Sequence, residues 1–66
     1  MNIVVNGEEI EVKNDITIYE LLIKLKVFEK TMAAAINMEV VKKDNWQTYK
    51  IKQNDRVEFL QFVGGG

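Results

Sequence analysis

Only one stretch of this 66-residue chain carries an apolar stripe of helical period. Ile18, Leu21, Leu22 and Leu25 fall at i, i+3, i+4 and i+7, while Glu20, Lys24 and Lys26 lie off the stripe. One helix with one apolar face has to bury that face, and its neighbours in sequence read as strands rather than as further helices. The start is marked twice. Thr17 and Glu20 have the spacing of a capping box, and Ile16 and Leu21 that of a hydrophobic staple, which places the first helical residue at Ile18. The end is set between Lys26 and Glu29, because Val27 and Phe28 are poorer helix formers and no glycine supplies a cap.

Before the helix, Ile3, Val4 and Val5 run into Asn6-Gly7, a pair that tolerates the positive φ angles of a tight hairpin turn. From Glu9 to Val12 acid alternates with Ile10 and Val12, so the hairpin has one wet and one dry side. After the helix, Met32 to Ile36 reads as a strand: five apolar residues between turn-like flanks are too few for a stable helix, despite three alanines. Asn37 to Glu39 turns the chain into a short strand at Val40-Val41. Asp44-Asn45-Trp46 reads as a loop or single helical turn that anchors an indole at the core edge. Tyr49 to Ile51 is expected to form another short strand, Asn54-Asp55 a turn, and Arg56 to Val63 the last strand. The fold class is therefore α+β, a mixed sheet wrapped around one main helix, with the first and last strands paired in parallel. The chain divides into a folded body, 1–63, and a glycine tail, 64–66.

What is missing narrows the function. Cys, His and Ser are all absent, which excludes a serine or cysteine nucleophile paired with imidazole, a structural zinc site and the usual haem ligands. Nine basic against ten acidic residues give no electrostatic footprint for nucleic acid. The longest apolar run, Met32 to Ile36, is far short of the roughly 18 residues of a membrane span, so neither nucleic acid nor membrane is expected as a partner. A cytoplasmic location and a monomeric free state are the corresponding expectations. Glu8, Glu9 and Glu11 lack calcium-loop spacing and read as a solvated hairpin face. Lys24, Lys26, Lys30, Lys42 and Lys43 read as solvating charges, and Tyr19, Tyr49 and Trp46 as anchors at the core edge.

Three of the four glycines are the last three residues. A glycine end can be a plain flexible linker. It can also enter a narrow channel, since it has no Cβ, and three residues extend a terminal carboxylate by about 10 Å. A free carboxylate is a poor electrophile and must first be activated. No Gly-rich loop between strand and helix is present to cradle ATP, so activation falls to another protein. On the last strand Val57 and Phe59 share one face, and Glu58, Leu60 and Phe62 the other. If the first pair meets the helix, Leu60 and Phe62 stand on the open side beside the tail, where a partner can cover them.

The chain resembles, over its whole length, the ThiS family of thiamine-biosynthesis sulfur carriers within the ubiquitin-like β-grasp superfamily. The residues that carry the resemblance are Asn6-Gly7, the helix start Thr17-Ile18-Tyr19-Glu20-Leu21-Leu22, Ala35-Ile36-Asn37 leading to Val40-Val41, the turn Asn54-Asp55, and the apolar strand running through Val63 to Gly64-Gly65-Gly66. The short length favours this family over the related molybdopterin synthase small subunits. Asn54 stands where relatives often place glycine.

The resemblance implies a carrier, not an enzyme. Its Gly66 carboxylate is adenylated by an ATP-dependent activating enzyme and becomes a thiocarboxylate, with sulfur drawn from a cysteine desulfurase system. Thiazole synthase then receives the sulfur for thiazole formation. The chain itself binds no cofactor, and ATP is consumed by the partner. Gly64 and Gly65 enter the partner's active site, and Leu60, Phe62 and Val63 form the docking surface. The alternatives are a ubiquitin-like protein modifier, a sulfur carrier for molybdopterin or tRNA thiolation, and a β-grasp binding module with an inert tail.

Overall fold

A computed structural model describes residues 1–62. Val63, Gly64, Gly65 and Gly66, on which the tail and part of the docking surface were placed, lie outside the described residues. Strands β1 (Asn2–Val5), β2 (Glu8–Glu11), β3 (Thr31–Ile36), β4 (Glu39–Val41) and β5 (Arg56–Gln61) form one sheet in the order β2-β1-β5-β3-β4, and helix α1 spans Ile18–Lys24. β5 is central, parallel to β1 through Val4↔Arg56 and Val5↔Val57 and antiparallel to β3. The mixed sheet around one main helix and the parallel pairing of its first and last strands follow the sequence expectation.

Both hairpins close through two residues with positive φ, as type I′ turns require: Asn6 (47°) with Gly7 (86°), and Asn37 (51°) with Met38 (72°). That geometry matches the right-handed twist of the flanking strands and fixes the registers Val5↔Glu8 and Ile36↔Glu39. Asn54, at φ 69°, takes the left-handed conformation that glycine would hold in the last turn, and asparagine tolerates it. The single helix lays Ile18, Leu21 and Leu22 into one core with Ile3, Val5, Ala34, Ile36 and Val57 from the sheet, closed by Val12, Ile16, Trp46 and Ile51.

The capping box forms in both directions. The Glu20 N–H donates to Thr17 Oγ1 at 3.1 Å, and the Thr17 N–H donates to Glu20 Oε1 at 3.0 Å. The Thr17 N–H, together with the Lys13 ammonium 3.0 Å from Oε2, holds the Glu20 carboxyl below the usual carboxylate range.

One boundary and one short element differ from expectation. The helix stops at Lys24, before the predicted Lys26 to Glu29 boundary. Lys26 adopts φ 61°; its N–H donates to Ile23 C=O, and the Val27 N–H donates to Leu22 C=O, each at 3.0 Å. This is a Schellman cap built on a lysine, invisible to a search for glycine. A left-handed non-glycine residue costs about 1–2 kcal/mol, and the added unfolded-state freedom of glycine gives back roughly half. Lys26→Gly is therefore expected to raise stability by about 0.5–1 kcal/mol in urea denaturation.

The short strand expected over Tyr49 to Ile51 is absent. One bridge, Thr17↔Lys50, takes its place, with Ile51 N–H donating to Ile16 C=O and Ile18 N–H to Tyr49 C=O. Thr17 is the helix N-cap, so its backbone turns away after one pairing and no ladder can propagate. Lys43–Asn45 forms a single 3-10 turn, as one of the two readings of that segment expected, and delivers Trp46 into the core. Among the described residues no helix is long and apolar enough to cross a membrane.

Candidate functional site

The strand that leads toward the glycines is gripped from both sides. Asn6 donates its N–H to Val57 C=O at 2.8 Å and accepts the Phe59 N–H on Oδ1 at 3.0 Å. Across β5, Asn37 donates its N–H to Arg56 C=O at 2.8 Å and accepts the Arg56 N–H on Oδ1 at 2.9 Å. Each hairpin thus uses the first residue of its turn to extend pairing with β5 past the end of the regular ladder. Asn37 Nδ2 also reaches Asp55 Oδ1 at 2.9 Å, and Asp55 Oδ2 accepts the Lys52 N–H at 2.8 Å, which locks the turn that launches β5. The sequence singled out Asn6-Gly7 as a turn; the side-chain bonds to a strand some fifty residues away left no sequence signal.

At its other end the described part of β5 runs to Gln61, and the Phe62 N–H still donates to the Lys30 carbonyl; the predicted last residue, Val63, lies outside the described residues. Lys30 closes a 3-10 turn, Phe28–Lys30, tied down by the bond from Thr31 Oγ1 to Val27 C=O at 2.8 Å. The exit of the chain toward Gly64 is therefore anchored on folded backbone.

Val57 is fully buried and Phe59 packs against the core, while Leu60 and Phe62 remain 64% and 60% exposed on the side away from the helix. Pairing adds residues that the sequence reading did not assemble. Ala33 sits opposite Leu60, and Ala35 opposite both Glu58 and Val40. Between Thr31 and Ala33 the register slips, a β-bulge that buries Thr31 and turns Met32 outward beside Ala33. The open face thus carries a band of Leu60, Phe62, Met32 and Val40 around an alanine floor. Strict alternation along Met32 to Ile36 would put Met32 with the core; a bulge has no signature in a single sequence.

The remaining candidates are structural. Glu8, Glu9 and Glu11 are exposed on β2, and no cluster of three metal-ligating side chains occurs among the described residues. Trp46 is buried, with Nε1 donating to Val41 C=O at 2.8 Å; Phe28 stands edge-on to it at 6.4 Å and to Tyr19 at 4.9 Å.

A mixed five-stranded sheet holding one helix, with a central last strand directed into a run of glycines, defines a β-grasp protein. The pattern of the ThiS family matches residues 2–66, and the chain belongs to that family. The sulfur carrier protein ThiS of Bacillus subtilis is 31% identical over 62 residues, covering 92% of this chain and 94% of that one. A thiazole synthase of Paramagnetospirillum magneticum is 33% identical over 66 residues; this chain is matched in full but spans only 20% of that protein's length. The crystal structure of the thiamine biosynthesis protein ThiS from Geobacter metallireducens superposes with a TM-score of 0.83 at 37% identity, covering 100% of both chains.

Proposed function

We propose that this chain carries sulfur on its last residue for thiazole formation in thiamine biosynthesis. A separate ATP-dependent enzyme adenylates the Gly66 carboxylate: a carboxylate oxygen bonds to the α-phosphorus of ATP and pyrophosphate leaves. The outer sulfur of a persulfide formed by a cysteine desulfurase then attacks the acyl carbon and AMP leaves, giving an acyl disulfide; a second thiol of the sulfur-transfer system cleaves its S–S bond, releasing the thiocarboxylate and becoming a disulfide itself. The thiocarboxylate sulfur is a better nucleophile than the oxygen it replaces, and thiazole synthase is its acceptor. Gly64 and Gly65 admit the end of the chain to a narrow active site because they carry no Cβ.

The observation that carries this reading is the continuity between a braced β5, an exposed apolar band at its far end, and the glycines that follow. The match to part of a thiazole synthase supports the acceptor, since one polypeptide there contains a segment similar to this whole chain. Leu60, Phe62 and Val63 are the proposed contacts to the activating enzyme, with an exposed aromatic next to the tail as anchor. Phe62→Asp is expected to weaken binding to that enzyme by at least about 30-fold, an anchor loss of about 2 kcal/mol, while the thermal midpoint stays in place. Calorimetric titration checks this, and unchanged affinity contradicts it. Transfer of labelled sulfur from the loaded chain to the product of a reconstituted thiazole synthase tests the acceptor; labelling of molybdopterin or tRNA instead overturns it.

A further inference from the structure

Glu58 stands on the open face at the border of the apolar band. It is exposed on the open face, directly opposite Ala35, which in turn faces Val40 on β4. In the next row Leu60 faces Ala33. Two strand spacings separate the Glu58 and Val40 backbones, about 10 Å, and only alanine methyls lie between them. The result is a shallow depression of about 360 Å³ with an alanine floor, apolar walls at Val40 and Leu60, and at its edge the Glu58 carboxylate beside Asn6, whose Oδ1 is already engaged by the Phe59 N–H.

Among the described residues that carboxylate has no ion-pair or hydrogen-bond partner. Arg56, two positions earlier on the same face, does not pair with it; the ion pair found among the described residues is Lys13 with Glu20. A partner surface that covers Leu60, Ala33, Ala35 and Val40 also takes Glu58 out of water. Burying a carboxylate without a compensating charge and hydrogen bonds is strongly unfavourable, so a purely apolar cover would be rejected. We infer that the activating enzyme presents an arginine to this depression, its aliphatic stem over Ala33 and Ala35 and its guanidinium paired with Glu58. The occupant is amphipathic because the site is: a long apolar trough ending in an anion. Arginine fits better than lysine, since its planar head pairs with a carboxylate through two parallel hydrogen bonds and is less strongly hydrated. The carboxylate then acts as a specificity element, admitting covers with a correctly placed cation and excluding others.

This inference rests on the reading of the open face as the docking surface for the activating enzyme. The test is titration of that enzyme with the unaltered chain, Glu58→Gln and Glu58→Leu at low and high salt, with ATP–pyrophosphate exchange measured alongside. Glu58→Gln keeps the size of the side chain, and thermal melts confirm that each variant folds. Both variants are expected to bind about 30-fold more weakly or worse, with a shallower salt dependence than the unaltered chain. A Glu58→Leu chain that binds as tightly as, or more tightly than, the original overturns the inference; if exchange persists, the proposed function stands. Loss of exchange with the unaltered chain removes the function and the inference together. Sedimentation showing that the free chain dimerises through this face, with Arg56→Ala abolishing the dimer, assigns the depression to a second copy and also overturns the inference.

Discussion

A chain lacking Gly65 and Gly66 is expected to lose ATP-dependent sulfur loading by about 100-fold or more while melting at the temperature of the unaltered chain. The two halves of that result have separate causes. The buried core ends along β5 at Val57, and Phe59 is the last residue packed against it among the described residues, so none of the described core residues is removed with the final two glycines. Deleting them nevertheless moves the terminal carboxylate back by about 7 Å, two extended residues. A misplacement of even about 1 Å can cost on the order of 100-fold when reacting atoms must meet in a fixed site. A drop of 100-fold or more in ATP–pyrophosphate exchange, with circular dichroism and thermal midpoint unchanged, is the expected outcome. Loading of the shortened chain at the original rate would place the chemistry elsewhere.

Trp46→Ala is expected to remove most of the fold's stability. Trp46 is 1% exposed, in a core that holds twelve buried apolar residues among those described, and its indole N–H donates to the Val41 carbonyl. Truncating a buried tryptophan costs about 3–5 kcal/mol, while a domain of this length is stable by only about 3–10 kcal/mol in total. No disulfide shares the load, since the chain has no cysteine. Chemical denaturation followed by far-ultraviolet circular dichroism should show the midpoint collapsing toward zero denaturant. Trp46→Phe should cost less, because a smaller ring still fills most of the site although the bond to Val41 is lost. A Trp46→Ala midpoint close to that of the parent would mean the indole is not a core element.

The parts of the fold that were legible in the sequence are those specified by residues close together in the chain. The capping box needs only Thr17 and Glu20, and the first hairpin only Asn6-Gly7 with alternation after it. Features that depend on distant pairing were not legible. Lys26 could hold the left-handed cap because the Ile23 and Leu22 carbonyls reward it, and composition alone argues against lysine there. Tyr49 to Ile51 has the residues of a strand, but its neighbour is a helix cap, which is a fact of tertiary structure. The bulge that turns Met32 outward exists only relative to β5.

The candidate site divides in the same way. Alternation along β5 was enough to put Leu60 and Phe62 opposite Val57 and Phe59. It could not bring in Ala33, Ala35 and Val40, because which strands flank β5, and in which register, is decided by the whole sheet. Nor could it show Asn6 and Asn37 bracing the strand from both edges, although both asparagines were read as turn residues. Their side chains act on Phe59 and Arg56, far away in sequence.

The central claim is that the terminal carboxyl of Gly66 is the working group. Intact-protein mass spectrometry with fragmentation, after incubation with the activating enzyme, ATP and a sulfur source, tests it most directly. The account predicts replacement of one oxygen by sulfur, dependent on ATP and confined to the fragment that contains Gly66. An unmodified chain, sulfur located at another residue, or a product joined through Gly66 to a lysine of a second protein would contradict it.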